Sequence, residues 1–338
     1  MGVLGQKLSG AGRLGVKAMT GVLAAGLAVG VGAPQVASAV AIVNPPAPVA
    51  TASETGTQGF EGLRVLPLGD SITRGTGSPT RSSYRMALAE RLLKGGIQIN
   101  YVGSQRNGTG SDVNHEGHGG WTIDELSAEL DGWLDTYRPD VVLVHAGTNN
   151  ITQGHGPTAT ARKLSAMLDQ IRAKAPTAYI FVAQIATSRM PTEAAQDRVY
   201  NRLIPKLVAE KQDDRITVVD QSSVRGIDLH DLRHPNDFGY SKMAWNWYQA
   251  MAPVLGASGD TGPNPYLARE TVRCLANKVM IDGEKHHRTE CRTWKLRDGV
   301  WLTLRATNQT YRVRVNGKVE TRTRTVQRWT GPGNLLNV

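Results

Sequence analysis

One serine, two histidines and two carboxylates in this chain have the types and spacing that acyl-transfer chemistry needs. Ser71 closes Gly69-Asp70-Ser71, directly after an apolar run at residues 64–68. Far downstream lies Asp231-Leu232-Arg233-His234-Pro235. A strand ending in glycine can turn sharply and present the serine hydroxyl at a helix N-terminus, where backbone N–H groups hold developing negative charge. A histidine with an aspartate three positions before it supplies the remaining parts of a Ser-His-Asp hydrolase. The serine attacks, Nε2 takes its proton, and the carboxylate holds Nδ1. The residues alone leave the pairing open. His230 competes with His234, Asp228 competes with Asp231, and a serine at such a turn also makes a good helix cap.

Two further blocks lie between these ends. Gly117-His118-Gly119-Gly120-Trp121-Thr122 is glycine-rich, and Gly147-Thr148-Asn149-Asn150 follows the apolar run 141–144. Gly120 reads as loop flexibility or as a backbone N–H donor. Asn149 reads as a turn residue or as a side-chain donor. His115, Glu116 and His118 cluster closely, but a glycine-rich loop suits a metal with three such adjacent ligands poorly. No metal is expected, and the cluster is read as lining a substrate mouth. Trp121 reads equally as core or as a platform for a sugar ring.

Taken in order and spacing, these blocks resemble those of the SGNH (GDSL-type) hydrolases over residues 64–255. The stretches Tyr101 to Ser104, His115 to Thr122 and Asp228 to Asn236 are similar, in particular, to acetyl xylan esterases of carbohydrate esterase family 3. The resemblance selects Asp231 and His234, because only they match its Asp-x-x-His-Pro-Asn pattern. It implies Ser71 as nucleophile, His234 as base and Asp231 as orienting carboxylate. It also implies an oxyanion hole from Ser71 N–H, Gly120 N–H and the Asn149 side chain, with substrate contacts at His118 and Trp121. Asp70 would brace the turn, and no cofactor is needed. Asn150 departs from the family, which commonly has aspartate there.

The elements that must position these residues alternate between strand and helix. Strands are expected at 64–68, 97–102, 141–145, 179–185 and 216–220. Helices are expected at 84–94, 123–137, 159–175, 194–211 and 239–255, with Thr122 and Glu125 as a capping box and Asp237 capping the last. Apolar strands alternating with helices predict a five-stranded parallel sheet in a flavodoxin-like three-layer α/β/α sandwich. Its site should sit at the carboxyl ends of the strands, with Ser71, Gly120 and Asn149 just beyond strands one, two and three.

Composition divides the rest of the chain. Residues 1–39 read as a signal peptide, with Lys7, Arg13 and Lys17 before an apolar stretch and Ala37-Ser38-Ala39 as a cleavage site. Export is therefore expected, with no membrane-spanning segment in the mature chain. Residues 40–60 read as a disordered leader, 61–255 as the hydrolase domain and 256–265 as a linker. Residues 266–338 read as a small all-β module, with turn signals at Asp282-Gly283, Asp298-Gly299 and Asn316-Gly317. From Gly262 onward there are 15 Lys/Arg against 6 Asp/Glu, so most of the net +10 belongs to this module. That suggests an anionic polymer or cell-wall surface as partner, rather than nucleic acid. Cys274 and Cys291, the only cysteines, are expected to pair in an oxidising compartment.

The first expectation is an exported esterase removing acetyl groups from a polysaccharide. The alternatives are a lipolytic or broad-specificity esterase, and a wall- or glycan-binding protein whose basic module matters most. The hydrolase domain is expected to work on small esters without the module.

Overall fold

The structure, a computed structural model, describes residues 62–259, 262–281 and 284–331. The expected signal peptide and leader, and the Asp282-Gly283 turn, lie outside the described residues.

β1 (Leu63–Gly69) runs through the middle of the main sheet. β5 (Val141–His145), β6 (Tyr179–Ala183) and β7 (Ile216–Val219) follow it on one side, all parallel. On the other side, β2 (Ile99–Tyr101) pairs with the start of β1 and β4 (Asn114–Gly117) with its end. β3 (Gln105–Arg106) runs antiparallel to β4. The sheet thus has seven strands rather than the expected five. β3 and β4 escape a reading by hydrophobicity because the side chains that β4 buries are His115 and Glu116.

Alternation along the strands splits the core between two faces. Leu66, Leu68, Val142 and Val144 face one apolar cluster. It is closed by α3 (Ile123–Tyr137), α5 (Pro157–Lys174) and α6 (Pro191–Lys211). Val65, Val141 and Leu143 face the other, closed by α2 (Arg85–Lys94) and α7 (Asp237–Leu255). This is the expected three-layer α/β/α sandwich. Burying one such Leu or Val side chain contributes roughly 1.5–3 kcal/mol, so both layers are tightly held to the sheet. The capping box forms as read: Thr122 accepts from Glu125 N–H, and Glu125 accepts from Thr122 N–H. α7 is capped one residue earlier than expected. Asn236, not Asp237, accepts from Gly239 N–H.

The C-terminal part is a separate antiparallel sheet of four strands. β8 (Glu270–Ile281), β9 (Glu284–Arg297), β10 (Val300–Val315) and β11 (Lys318–Thr330) lie in the order β11-β10-β9-β8. Asp298-Gly299 and Asn316-Gly317 turn with positive φ at both positions, as hairpin turns of the I′ kind require. β9 and β10 pair only over Arg297–Trp294 and Val300–Thr303, so the rest of β10–β11 projects as a two-stranded ribbon. The register sets Cys274 opposite Cys291. The Cys274 side chain lies outside what is described. The base of this sheet rests on the hydrolase domain: the Phe238 and Trp301 rings meet edge to face at 5.6 Å. The segment leading to it is also pinned, with Arg91 Nη2 donating to Pro263 O and Asn246 Nδ2 to the Tyr266 hydroxyl.

Candidate active site

Ser71 is the first residue of α1 (Ser71–Arg74), a single turn that begins where β1 ends. The turn is sharp because Gly69 permits it. A Cβ there would lie 2.2 Å from His145 O and 2.6 Å from Thr73 Oγ1. Asp70 is fully buried, and its carboxylate caps α1 by accepting from Ile72 N–H at 2.9 Å. The Tyr240 hydroxyl donates across from α7 to Ile72 O and Thr76 O. Arg85 reinforces the elbow from α2. Fully buried, it donates to Thr73 O, Val113 O, Arg81 O and Asn107 O, so each carbonyl of that pocket finds a donor. Nothing in the sequence pattern marks this arginine as more than an exposed helix residue.

His234 Nε2 lies 2.9 Å from Ser71 Oγ. On the far side of the ring, Nδ1 lies 2.8 Å from Asp231 Oδ2. With the proton on Nδ1, that nitrogen donates to the carboxylate and Nε2 is left to accept from the serine hydroxyl. Asp231 Oδ1 also accepts from the backbone N–H groups of Arg233 and His234. Burial raises the Asp231 pKa, but the His234 contact and these backbone donors outweigh it, and the carboxyl sits below its ordinary range. Asp231 thus remains an anion beside the imidazole.

The competing residues are occupied elsewhere. Asp228 is buried in an ion pair with Lys242, 2.7 Å away. His230 serves the loop through its backbone: its N–H donates to His234 O at 2.7 Å.

The expected oxyanion donors come from two other loops. Asn149 lies in α4 (Thr148–Thr152), which starts right after β5. Its Nδ2 donates to Trp121 O at 2.8 Å, tying this turn to the glycine-rich loop. Gly147 lets α4 approach α6, since a Cβ there would meet the Tyr200 ring at 2.6 Å. Gly120 follows β4, not the second strand as expected, and its glycine is required for φ +89° rather than for close approach, since nothing lies within 4 Å of a built Cβ. Asn150, the departure from the family pattern, is buried. Its Oδ1 accepts from Ile123 N–H and its Nδ2 lies against His155 Nδ1.

The His115-Glu116-His118 cluster is mostly internal, contrary to the expectation that it lines a substrate mouth. His115 and Glu116 are fully buried. Glu116 accepts from Ser104 N–H, Ser104 Oγ and His118 Nε2. Burial, and behind it the charge of Arg85, push the His115 pKa down to about 2, so its ring is neutral. The His118 ring stacks on Trp121 at 4.2 Å and on Trp133 at 4.9 Å. Trp121 also packs against the apolar layer beneath α3, the core role read for it. Among the described residues no group of three or more His, Cys, Asp and Glu could hold a metal ion.

Known proteins place this arrangement. A multidomain esterase of Ruminococcus flavefaciens is 30% identical over 245 residues, covering 60% of this chain and 32% of that protein. A putative endoglucanase X of Acetivibrio thermocellus is 31% identical over 149 residues, covering 42% of this chain and 63% of that protein. The chain thus spans about a third of the first relative and under two thirds of the second. Among solved structures, a family 3 carbohydrate esterase of Clostridium thermocellum superposes with a TM-score of 0.52 at 33% identity, covering 57% of this chain and 97% of that one. A family 3 carbohydrate esterase of Talaromyces cellulolyticus does so at 0.51 and 25%, covering 57% and 98%. The family model for the GDSL-like lipase/acylhydrolases matches residues 68–242, a span holding both the strand-end serine and the Asp-x-x-His loop, and the chain belongs to that family.

Proposed function

We propose that the chain is an exported serine esterase that removes short acyl groups, acetyl above all, from the hydroxyls of a polysaccharide. The observation that carries this reading is the continuous line from Ser71 Oγ to His234 Nε2 and from His234 Nδ1 to Asp231, at 2.9 Å and 2.8 Å. Ser71 Oγ attacks the ester carbonyl while His234 Nε2 takes its proton. The tetrahedral oxyanion is held by Ser71 N–H, Gly120 N–H and Asn149 Nδ2. Collapse expels the sugar hydroxyl, which takes the proton from His234, and leaves acetyl-Ser71. Water, deprotonated by His234, attacks this ester. Acetate leaves, and the proton returns to Ser71. Asp231 stabilises the imidazolium in both halves.

The similarity to family 3 carbohydrate esterases supports a glycan acetyl ester over a long acyl chain. Ala37-Ser38-Ala39 after the apolar stretch supports export, and with it pairing of Cys274 with Cys291. The test is acetate release from a panel of acetylated glycans, beside hydrolysis of p-nitrophenyl acetate and a long-chain p-nitrophenyl ester. Acetate release with poor long-chain turnover supports the reading. Preference for the long chain moves it to a lipolytic esterase.

A second reading concerns the ribbon. Arg312, Arg314, Lys318, Arg322, Arg324 and Arg328 are exposed there, against one acid, Glu320. Such a charge suits docking on an anionic polymer.

A further inference from the structure

The loop that carries Asp231 and His234 is held from outside the hydrolase domain. Residues 229–235 form a closed loop, bridged at its ends by Leu229 and Pro235 and within by His230 N–H to His234 O. Three of its carbonyls are anchored from outside the loop. Leu232 O accepts from Arg189 N–H and Ser188 Oγ, and Asp231 O accepts from Arg189 Nη1 at 3.0 Å. Arg233 is fixed by Glu193. These anchors all come from the start of α6 or just before it. The third, His230 O, accepts from Arg273 Nη2 at 2.7 Å. Arg273 lies on β8 in the C-terminal sheet, beyond the span of the family match, and is only 5% exposed.

We infer that Arg273 is a positioning residue for the Asp231–His234 loop, which makes the C-terminal sheet part of the hydrolytic unit. The inference rests on the esterase reading above. It differs from the expectation that the hydrolase domain works alone. Three further observations support it. The Phe238–Trp301 contact seats the same sheet three residues beyond the loop, on the first turn of α7. Burying a guanidinium is costly unless a geometry is gained, so a buried arginine on a loop carbonyl marks a fixed contact. Burial first, and Arg189 second, push the Arg273 pKa down to about 10 against the pull of Asp231, so the side chain stays charged at neutral pH and within electrostatic reach of the loop's carboxylate. Without Arg273, His230 O loses its donor and the loop gains freedom at the end that aims His234 at Ser71.

The test uses the full chain with Arg273→Met, which keeps the apolar stem and removes the donor, and Arg273→Lys, which keeps charge and a shorter donor. Thr323→Ala, on the exposed ribbon, is the control. Turnover of p-nitrophenyl acetate, thermal unfolding and amide hydrogen exchange over residues 229–235 are measured on each. A displacement of about 1 Å at a catalytic group costs up to about 100-fold. The expected result for Arg273→Met is therefore a kcat lowered about 10- to 100-fold, a KM within about twofold, and faster exchange in the loop. Arg273→Lys should fall between it and wild type, and Thr323→Ala should match wild type in all three. A folded Arg273→Met with wild-type kcat and wild-type loop exchange overturns the inference, as does a change confined to KM. Should Arg273→Met fail to fold, a folded Arg273→Lys with wild-type kcat and exchange overturns it. An inactive wild type with slow loop exchange that Arg273→Met speeds up defeats the esterase reading and leaves the positioning contact standing.

Discussion

At the scale of single residues, the site depends on where charge develops. Asn149 Nδ2 donates one N–H to Trp121 O, and its second N–H is the one assigned to the oxyanion under the proposed function. Asn149→Ala should lower kcat about 10²–10³-fold, the typical loss for one such donor, with a much smaller change in KM. Steady-state kinetics on a small acetate ester checks this, and an effect on KM alone removes Asn149 from the oxyanion hole. Asp231 makes a pH-dependent prediction. Its folded pKa is depressed, so its ionised form contributes stability above the ordinary aspartate range near about 4, and that contribution is lost as pH falls through the folded value. The stability gap between wild type and Asp231→Asn should thus be widest near neutral pH and narrow below about pH 4. Denaturant unfolding at several pH values measures it, and a gap independent of pH removes the Asp231 anion from the stability of the fold. The choice of Asp231 over Asp228 was not decidable from residue types, since both precede a histidine in one loop. The family pattern selects Asp231, and packing agrees: Lys242 on α7 takes Asp228.

At the scale of elements, the serine turn is held by donors and acceptors from three directions. Asp70 caps α1, Tyr240 reaches it from α7, and Arg85 ties it to residues 107–113. Arg85→Met would leave four buried or half-buried carbonyls without their donor. Leaving a buried acceptor unsatisfied costs about 1–3 kcal/mol, so this variant should unfold at markedly lower denaturant and lose turnover with it. A variant as stable as wild type would show that the arginine is not what holds the turn. The strands and helices that carry the core were legible in the sequence because hydrophobic periodicity reports burial. Residues 64–68 and 141–145 read as strands, and the helix at 123–137 matches to the residue, capping box included. β4 was not legible. Its buried side chains are a neutralised histidine and a carboxylate satisfied by Ser104 and His118, a polar solution that periodicity cannot detect. Gly120 was for that reason assigned to the wrong strand.

At the scale of the whole molecule, two sheets of opposite grammar meet at one loop. The parallel sheet delivers Ser71, Gly120 and Asn149 at its carboxyl ends, and the antiparallel sheet places Arg273 behind the histidine. The all-β nature of the second sheet was legible from its turn signals. Its grip on the first was not, because contacts between distant segments leave no periodic trace. The projecting ribbon makes its own prediction. Replacing Arg312, Arg322 and Arg324 with glutamine should weaken retention on an anionic polysaccharide and flatten its salt dependence, leaving small-ester turnover unchanged. Unaltered retention in a salt series would reject docking by charge. The central claim is that Ser71 is the nucleophile of an acetyl esterase. It is tested most directly by turnover of p-nitrophenyl acetate by purified, folded Ser71→Ala beside wild type. The account predicts rapid hydrolysis by wild type and a loss of several orders of magnitude, about 10⁴-fold or more, in the variant. A folded Ser71→Ala that hydrolyses the ester at a rate near wild type would contradict it.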